Sequence, residues 1–362
     1  MCTLHHIDGQ EVEEFGGKLI DMLNQGALAV MLSIGHRTGL LDKMGQLPPA
    51  TSKEIAAAAG LNERYVREWL AAMVTGGIIK IFPNGGAPKF ALPTEHASCL
   101  TRAAGADNMG VFAQYIGLMG TVEDNIIDCF KAGGGVPYSE YKRFHEVMAE
   151  DSGLSVVSSL FDAILPLVPG LTDRLEKGIE VLDVGCGMGR ALNLLARSFP
   201  NSRFAGYDLS EQAIAAAGES AAEYSIANVH FEVRDLTTFD QDAPTAAFDL
   251  ITSFDAIHDQ ARPERVLAGI FKALKPEGVY LMQDISASSK VEDNLEHPIA
   301  PFLYTISTMH CMTVSLAQNG MGLGTMWGRD KAQEMLREAG FGQIDIHNLP
   351  HDFQNDYYVL RR

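Results

Sequence analysis

The chain has 362 residues with 46% hydrophobic and 20% charged residues and a formal charge of −18, the profile of a globular protein of about two domains. No apolar run approaches the ~18 residues of a membrane helix, and Met1–His6 lacks the build of a signal peptide. The acidic balance disfavours nucleic acid as a bulk partner, and five scattered cysteines (Cys2, Cys99, Cys129, Cys186, Cys311) without metal or disulfide spacing point to a reducing cytoplasm.

Residues 11–31 place Val12, Phe15, Leu19, Met22, Leu23, Ala27 and Val30 at helical spacing. They predict an amphipathic helix whose apolar face fits a homodimer that exchanges N-terminal elements. Thr51-Ser52-Lys53-Glu54 is a capping box for a helix over 55–59, which Gly60 stops. A second helix runs from an Asn62 cap to about residue 75 and turns Tyr65, Val66, Trp69, Leu70 and Met73 inward. Apolar 78–82, a Pro/Gly turn over 83–88 and 89–92 follow as a hairpin, so this region predicts a winged helix. Glu63 and Glu68 offset Arg64 and Arg67 on the second helix, and the wing carries only Lys80 and Lys89. Dimerisation or substrate shaping is therefore expected of it rather than DNA reading.

Helical periodicity continues over 106–130. Gly133-Gly134-Gly135, a helix through 148 and an apolar helix over 154–167 come next, and Pro166, Pro169 and Gly170 mark a boundary near 169–177. The expected organisation is an N-terminal helical and winged-helix domain over 1–105, a helical connector over 106–172 serving as dimer or substrate cap, and an α/β domain over 173–362. In that last domain strand patterns at 179–184, 203–207, 229–233, 248–253 and 279–283 alternate with helices, predicting a parallel sheet covered on both faces. A helix over 331–339 and strands over 343–349 and 357–360 close the chain as an antiparallel hairpin on the sheet edge.

The chemistry gathers at strand ends. Val181-Leu182-Asp183-Val184-Gly185-Cys186-Gly187-Met188-Gly189-Arg190 reads as strand, glycine loop and helix start. Such a loop lets backbone approach a ligand and presents N–H groups at a helix N-terminus. Asp208 and Asp235 end the next two strands, so three acids face one crevice outside the carboxyl ends of a sheet. A dinucleotide fingerprint would read Gly-x-Gly-x-x-Gly. Here the spacing is Asp183-x-Gly185-x-Gly187-x-Gly189, an acid for an ammonium beside N–H groups for a carboxylate, which suits S-adenosylmethionine. The competing readings are a winged-helix DNA-binding regulator that senses S-adenosylmethionine and an NAD-dependent dehydrogenase.

On these residues the chain resembles class I S-adenosylmethionine-dependent methyltransferases, closely over 179–284. With its winged helix it resembles the two-domain bacterial and mycobacterial members, and in layout the plant-type small-molecule O-methyltransferases. The resemblance implies a Rossmann-like, seven-stranded, mostly parallel sheet of order 3-2-1-4-5-7-6 with an antiparallel C-terminal edge. It implies that Gly185, Cys186, Gly187 and Gly189 carry the methionine end and that Asp208 holds the ribose, with Leu209 beside the adenine. Asp235 and Leu236 would flank the adenine, and Ser253-Phe254 would close the site below the sulfonium. The expected reaction is SN2 transfer of methyl to oxygen on a small hydrophobic or aromatic molecule.

Phe254-Asp255-Ala256-Ile257-His258-Asp259 follows the fourth strand. Methyl transfer requires alignment of nucleophile, methyl and sulfur, and a phenol must lose a proton, which an imidazole is suited to take. In the plant-type enzymes a His-Asp pair stands here, making His258 the first candidate base and His310 the second; Gln260 replaces the usual Trp. A long insertion over 286–328, rich in Met, aromatic residues and Gly, is expected to form a lid, with Tyr304, Met309 and Trp327 as candidate substrate contacts and Tyr138 reaching in from the other side. No metal is expected.

Overall fold

The computed structural model describes residues 7–83 and 85–362; Met1–His6, with Cys2, and Asn84 of the predicted turn lie outside the described residues. The chain divides into two compact units, Met1–Gly117 and Leu118–Arg362.

The first unit opens with a helix over Gly9–Arg37, capped by the Asp8 side chain on the Gln10 N–H. The predicted capping box is present in full, with Thr51 on the Glu54 N–H and Glu54 on the Thr51 N–H, and Gly60 ends that helix in the left-handed region. The helix Glu63–Thr75 starts from the Asn62 cap and buries Val66, Trp69, Leu70 and Met73. Tyr65 is 79% exposed instead of buried, because it sits at the edge of the stripe that those four define. The Trp69 indole reaches the Met31 carbonyl at 2.8 Å, fixing the first helix against this one. The wing forms as read: β2 (Lys80–Phe82) pairs antiparallel with β3 (Lys89–Ala91), and the two-residue β1 (Ala50–Thr51), too short to leave a sequence pattern, adds to β3.

In the second unit, seven strands follow: β4 (Glu180–Val184), β5 (Arg203–Asp208), β6 (Val229–Val233), β7 (Phe248–Phe254), β8 (Leu274–Ile285), β9 (Gln343–Leu349) and β10 (Asp352–Arg361). Their order is β6-β5-β4-β7-β8-β10-β9, which is the expected 3-2-1-4-5-7-6. Neighbours from β6 to β8 are parallel, and β10 lies antiparallel to both β8 and β9. The sheet is buried on both faces, with Leu182, Ile251, Tyr280 and Met282 in one core and Val181, Leu250, Leu281 and Val359 in the other. A sheet wrapped in this way can offer a ligand only its strand ends.

Two helical predictions break up. The stretch read as a helix over 106–130 contains Ala113–Met119, a 3-10 turn at Gly120–Val122 and Glu123–Ala132. The apolar stretch over 154–167 becomes 3-10 and π turns, Val157–Ser159, Leu160–Ile164 and Leu165–Leu167. Pro166 removes a helical donor and crowds the preceding turn. The insertion is also more ordered than a loose lid. It holds helices Ala300–Ile306 and Met312–Ala317 around a π turn, Ser307–Cys311, and buries Leu303, Cys311, Val314, Met326 and Trp327. Among the described residues no single helix is long and apolar enough to cross a membrane.

Candidate active site

The ends of β4, β5, β6 and β7 surround a cavity of about 180 Å³. Its floor is the glycine loop. Gly185 and Gly189 have φ of +73° and +66°, and a Cβ on either would meet Ala256 at 2.5 Å or Phe231 at 2.7 Å. Gly187, at φ +52°, faces open space. The outer two glycines thus let the loop pack on the protein, and the middle one leaves room for a ligand.

Several loop N–H groups are bound within the protein. Gly185 and Cys186 donate to the Tyr207 carbonyl at 2.8 and 3.1 Å, Gly189 to the Cys186 carbonyl at 2.9 Å, and Gly187 to Asp208 Oδ2 at 2.8 Å. Asp208 Oδ1 accepts the Ser210 N–H at 2.8 Å, so the acid at the end of β5 is locked to the loop after β4. Asp235 accepts the Thr237 N–H at 2.9 Å. Asp183 is buried and accepts the Thr252 hydroxyl at 2.7 Å. Burial pushes its carboxyl up to about 7 against the pull of Thr252, and Asp208 adds to the rise. A raised carboxyl is harmless below its unfolded pKa near 3.9 and destabilises increasingly as pH rises towards 7. Asp183→Asn should therefore raise the stability of the ligand-free protein by about 1–2 kcal/mol at pH 8 and leave it unchanged near pH 4, while weakening cofactor binding. Melting curves at the two pH values check this; equal shifts at both would refute it.

The cavity gathers most of the predicted cofactor residues: Asp183, Gly185, Cys186, Gly187, Asp208, Leu209, Asp235, Leu236 and Phe254 all line it. Gly189 and Ser253 stand behind the wall, and the Ser253 hydroxyl pairs with that of Tyr280 at 2.6 Å. Tyr138 lines the cavity; Tyr304, Met309 and Trp327 do not. Tyr304 bonds Asn294 at 3.1 Å, the Met309 carbonyl accepts the Tyr141 hydroxyl, and the Trp327 indole turns into the core to donate to Asp284 Oδ1 at 3.0 Å. The opposite wall, missed in the sequence, is the helix Phe144–Ser155, which contributes Phe144, His145, Met148, Ala149 and Ser152. The sequence predicted a helix only through 148 and assigned it no face, whereas the helix runs on to Ser155.

Past β7, the chain turns sharply through Asp255 at φ +55°, and the Asp255 N–H bonds the Gln283 carbonyl at 2.9 Å. That turn points Asp255 and Asp259 at the cavity and sends His258 behind the wall. His258 is 2% exposed, with Nδ1 at 2.8 Å from Asp284 Oδ1 and 3.7 Å from Asp255 Oδ1. The Cys311 thiol lies beside the ring. Burial opposes the imidazolium, but Asp284 and Cys311 outweigh it and hold His258 well above the usual histidine range. The Asp255, His258 and Asp284 ligand atoms all lie within 4.8 Å of one another, a spacing that could suit a cation. However, Asp284 Oδ1 already accepts His258 Nδ1, the Trp327 indole and the Ile285 N–H, so the geometry fits a carboxylate anchoring a ring.

Tyr138 donates its hydroxyl to Asp259. Burial raises Asp259 to about 6 and Asp255 to about 7, and His258 restrains both. His310 packs face-to-face on Phe144 at 3.4 Å between centroids and edge-on to Tyr138 and Tyr141. It is 2% exposed, and neither ring nitrogen has a hydrogen-bond partner. Burial, then His258 and His145, hold it well below the usual range.

A parallel sheet with an antiparallel edge, a glycine loop and acids on three successive strand ends define a class of enzymes that bind a nucleoside-bearing cofactor. Residues 175–340 match the model of a methyltransferase domain, and residues 26–102 that of the Rv2258c-like winged HTH domain. The ubiquinone biosynthesis O-methyltransferase of Coxiella burnetii is 30% identical over 186 residues, 51% of this chain and 73% of that protein. Phosphoethanolamine N-methyltransferase 1 of Arabidopsis thaliana is 41% identical over 190 residues, 52% of this chain but only 33% of its own length. The fold of human N-acetylserotonin methyltransferase, solved with S-adenosylmethionine, superposes with a TM-score of 0.68 at 17% identity, covering 100% of this chain and 99% of that one. The chain belongs to the S-adenosylmethionine-dependent methyltransferases, in the two-domain form with an N-terminal winged helix.

Proposed function

We propose that the protein transfers the methyl group of S-adenosylmethionine to an oxygen of a small hydrophobic or aromatic molecule by SN2 displacement. The observation that carries this is the single cavity shared by the glycine loop and by Asp183, Asp208 and Asp235. In this reading the loop lies along the methionine end and Asp183 faces the ammonium. Asp208 takes the ribose diol, with Leu209, Asp235 and Leu236 around the adenine. Phe254, backed by Ser253, closes the floor below the sulfonium. The acceptor enters against Tyr138 and Phe144. His258, oriented by Asp284 behind the wall, is the base for the acceptor's proton in its neutral form, whose share grows as pH rises.

A thermal-shift screen tests the cofactor. S-adenosylhomocysteine at a hundredfold excess over its Kd should stabilise the protein by ~2.7 kcal/mol. NAD should give no shift and duplex DNA no complex at physiological salt. A shift with NAD alone would overturn the reading in favour of a dehydrogenase.

The winged helix serves assembly in this proposal. Arg64 and Arg67 on the helix Glu63–Thr75 are paired with Glu68 and Glu63, which leaves little positive surface for phosphate. On the helix Gly9–Arg37, Val12, Phe15, Leu19, Met22 and Leu23 are exposed. A stripe of that size suits a homodimer, and the four described cysteines, all free, suit the cytoplasm. Phe15→Asp with Leu19→Asp should shift the sedimenting species from dimer to monomer. A wild-type monomer at micromolar concentration would refute this.

A further inference from the structure

Resting on the methyl-transfer reading above, we propose that residues 133–141 form a strap that closes over the bound cofactor and, in the same movement, seats the insertion on the acceptor side. The three consecutive glycines divide the work. Gly133, which caps the helix Glu123–Ala132, and Gly134 have φ of +74° and +85° and are exposed, and a Cβ on either would meet nothing within 4 Å. Two such residues in a row, held by no packing, make a hinge. Gly135 is the opposite case. Its Cβ would lie 2.0 Å from the Thr313 carbonyl oxygen and 2.3 Å from the Ala317 nitrogen. The strap backbone therefore rests directly on the helix Met312–Ala317, a seat that only glycine fits.

Beyond the seat, hydrogen bonds tie the strap to two places. The Val136 N–H donates to Thr313 Oγ1 at 2.8 Å and the Tyr141 hydroxyl to the Met309 carbonyl, so both hold the insertion. The Tyr138 hydroxyl donates instead to Asp259, and these two side chains both line the cavity. Pro137, Ser139 and Glu140 between the tethers are exposed. A segment with few buried side chains and isolated hydrogen bonds opens at lower cost than the sheet. Tyr138 also stacks on His145, another cavity residue, with ring centroids 5.9 Å apart and planes within 16°. Its ring thus belongs to both strap and wall, and a ligand in the cavity meets it there only while the strap is seated. That difference in contact shifts the strap towards closure. Because the same segment clamps Met309 and Thr313, closure over the cofactor also fixes the turn Ser307–Cys311, whose last residue lies beside His258.

Hydrogen exchange read by mass spectrometry on the full chain, with and without saturating S-adenosylhomocysteine, tests this. Peptides covering 133–143 and 307–317 should slow together by at least about tenfold when the ligand binds. No residue of 307–317 lines the cavity, so slowing there reads the coupling rather than direct contact. In Tyr138→Phe, which keeps the ring and loses the latch to Asp259, stopped-flow dissociation of S-adenosylhomocysteine should quicken about tenfold and the shared slowing should shrink. Gly135→Ala should remove the slowing in both peptides while the strands Glu180–Val184 and Arg203–Asp208 exchange as in the wild type. If that variant folds poorly, the wild-type and Tyr138→Phe measurements decide alone. A strap whose exchange ignores the ligand, an insertion that does not follow the strap, or a Tyr138→Phe protein that releases the ligand at the wild-type rate overturns the proposal. If wild-type protein fails to bind S-adenosylhomocysteine, the cofactor reading falls, and the strap proposal with it.

Discussion

Gly189→Ala should cost about 2–4 kcal/mol of folding stability and abolish measurable cofactor binding. The residue sits at φ +66°, and its new Cβ would lie 2.7 Å from two ring carbons of Phe231 and 2.8 Å from the Ala217 methyl. Phe231 is held by β6 and Ala217 by the helix Glu211–Glu223. Neither can yield without displacing the layer that covers the sheet. Gly187→Ala is the control. Its φ is also positive, but its Cβ would meet nothing within 4 Å. It should cost only about 1 kcal/mol of stability, from backbone strain, while lowering S-adenosylhomocysteine affinity about tenfold because its methyl intrudes on the ligand. Urea unfolding and calorimetry separate the two effects. A Gly187→Ala protein that binds as wild type would show that the loop does not lie against the cofactor.

Asp284→Ala should be the most damaging single change near the acceptor, at about 3–5 kcal/mol of stability and ~10²-fold or more in turnover. One carboxylate oxygen serves His258, Trp327 and the backbone of Ile285 at 2.8–3.0 Å. Removing it strands two buried side-chain donors and releases the imidazole from its orientation. The pH dependence separates this from simple loss of packing. A histidine held above its unfolded pKa near 6.5 contributes its full stabilisation below that pH and loses it as pH rises through the folded value. The penalty of Asp284→Ala should therefore be largest at pH 6 and shrink in alkaline solution. A penalty independent of pH would mean that His258 is not charged in the folded protein. His258→Ala should itself lower turnover ~10²-fold on any acceptor that must lose a proton. Unchanged turnover would leave alignment alone, or another group, to do the work.

The sheet could be read from the sequence because its information is local. Apolar runs of strand length ended in Asp183, Asp208 and Asp235, and each end lands where the parallel order puts it. The capping box at Thr51 and Glu54 was equally plain, since both partners lie within one turn. The acceptor side was not readable in the same way. His258 and Asp259 are adjacent, and only the left-handed turn at Asp255 decides which of them meets the cavity. Trp327 looked like a lid aromatic because sequence cannot reveal that Asp284, buried at the end of β8, needs an indole donor. The helix Phe144–Ser155 was predicted only through 148, and its role as a cavity wall is a long-range property that local sequence does not encode.

The position of β10 carries a consequence for biosynthesis. This strand is inserted between β8 and β9, although it follows both in the chain. Until residues 352–361 have left the ribosome, β8 lacks a neighbour on that side and β9 has nothing in the sheet to pair with. The nascent chain must therefore shelter an open, apolar strand edge while the first unit, Met1–Gly117, is already free to fold. Ribosome-stalled chains ending before residue 352 should engage chaperones and resist cofactor capture, whereas chains extended far enough to expose β10 should fold abruptly. Maturation of the cofactor site, built largely from β4 to β7, thus waits on a strand that contributes no residue to it.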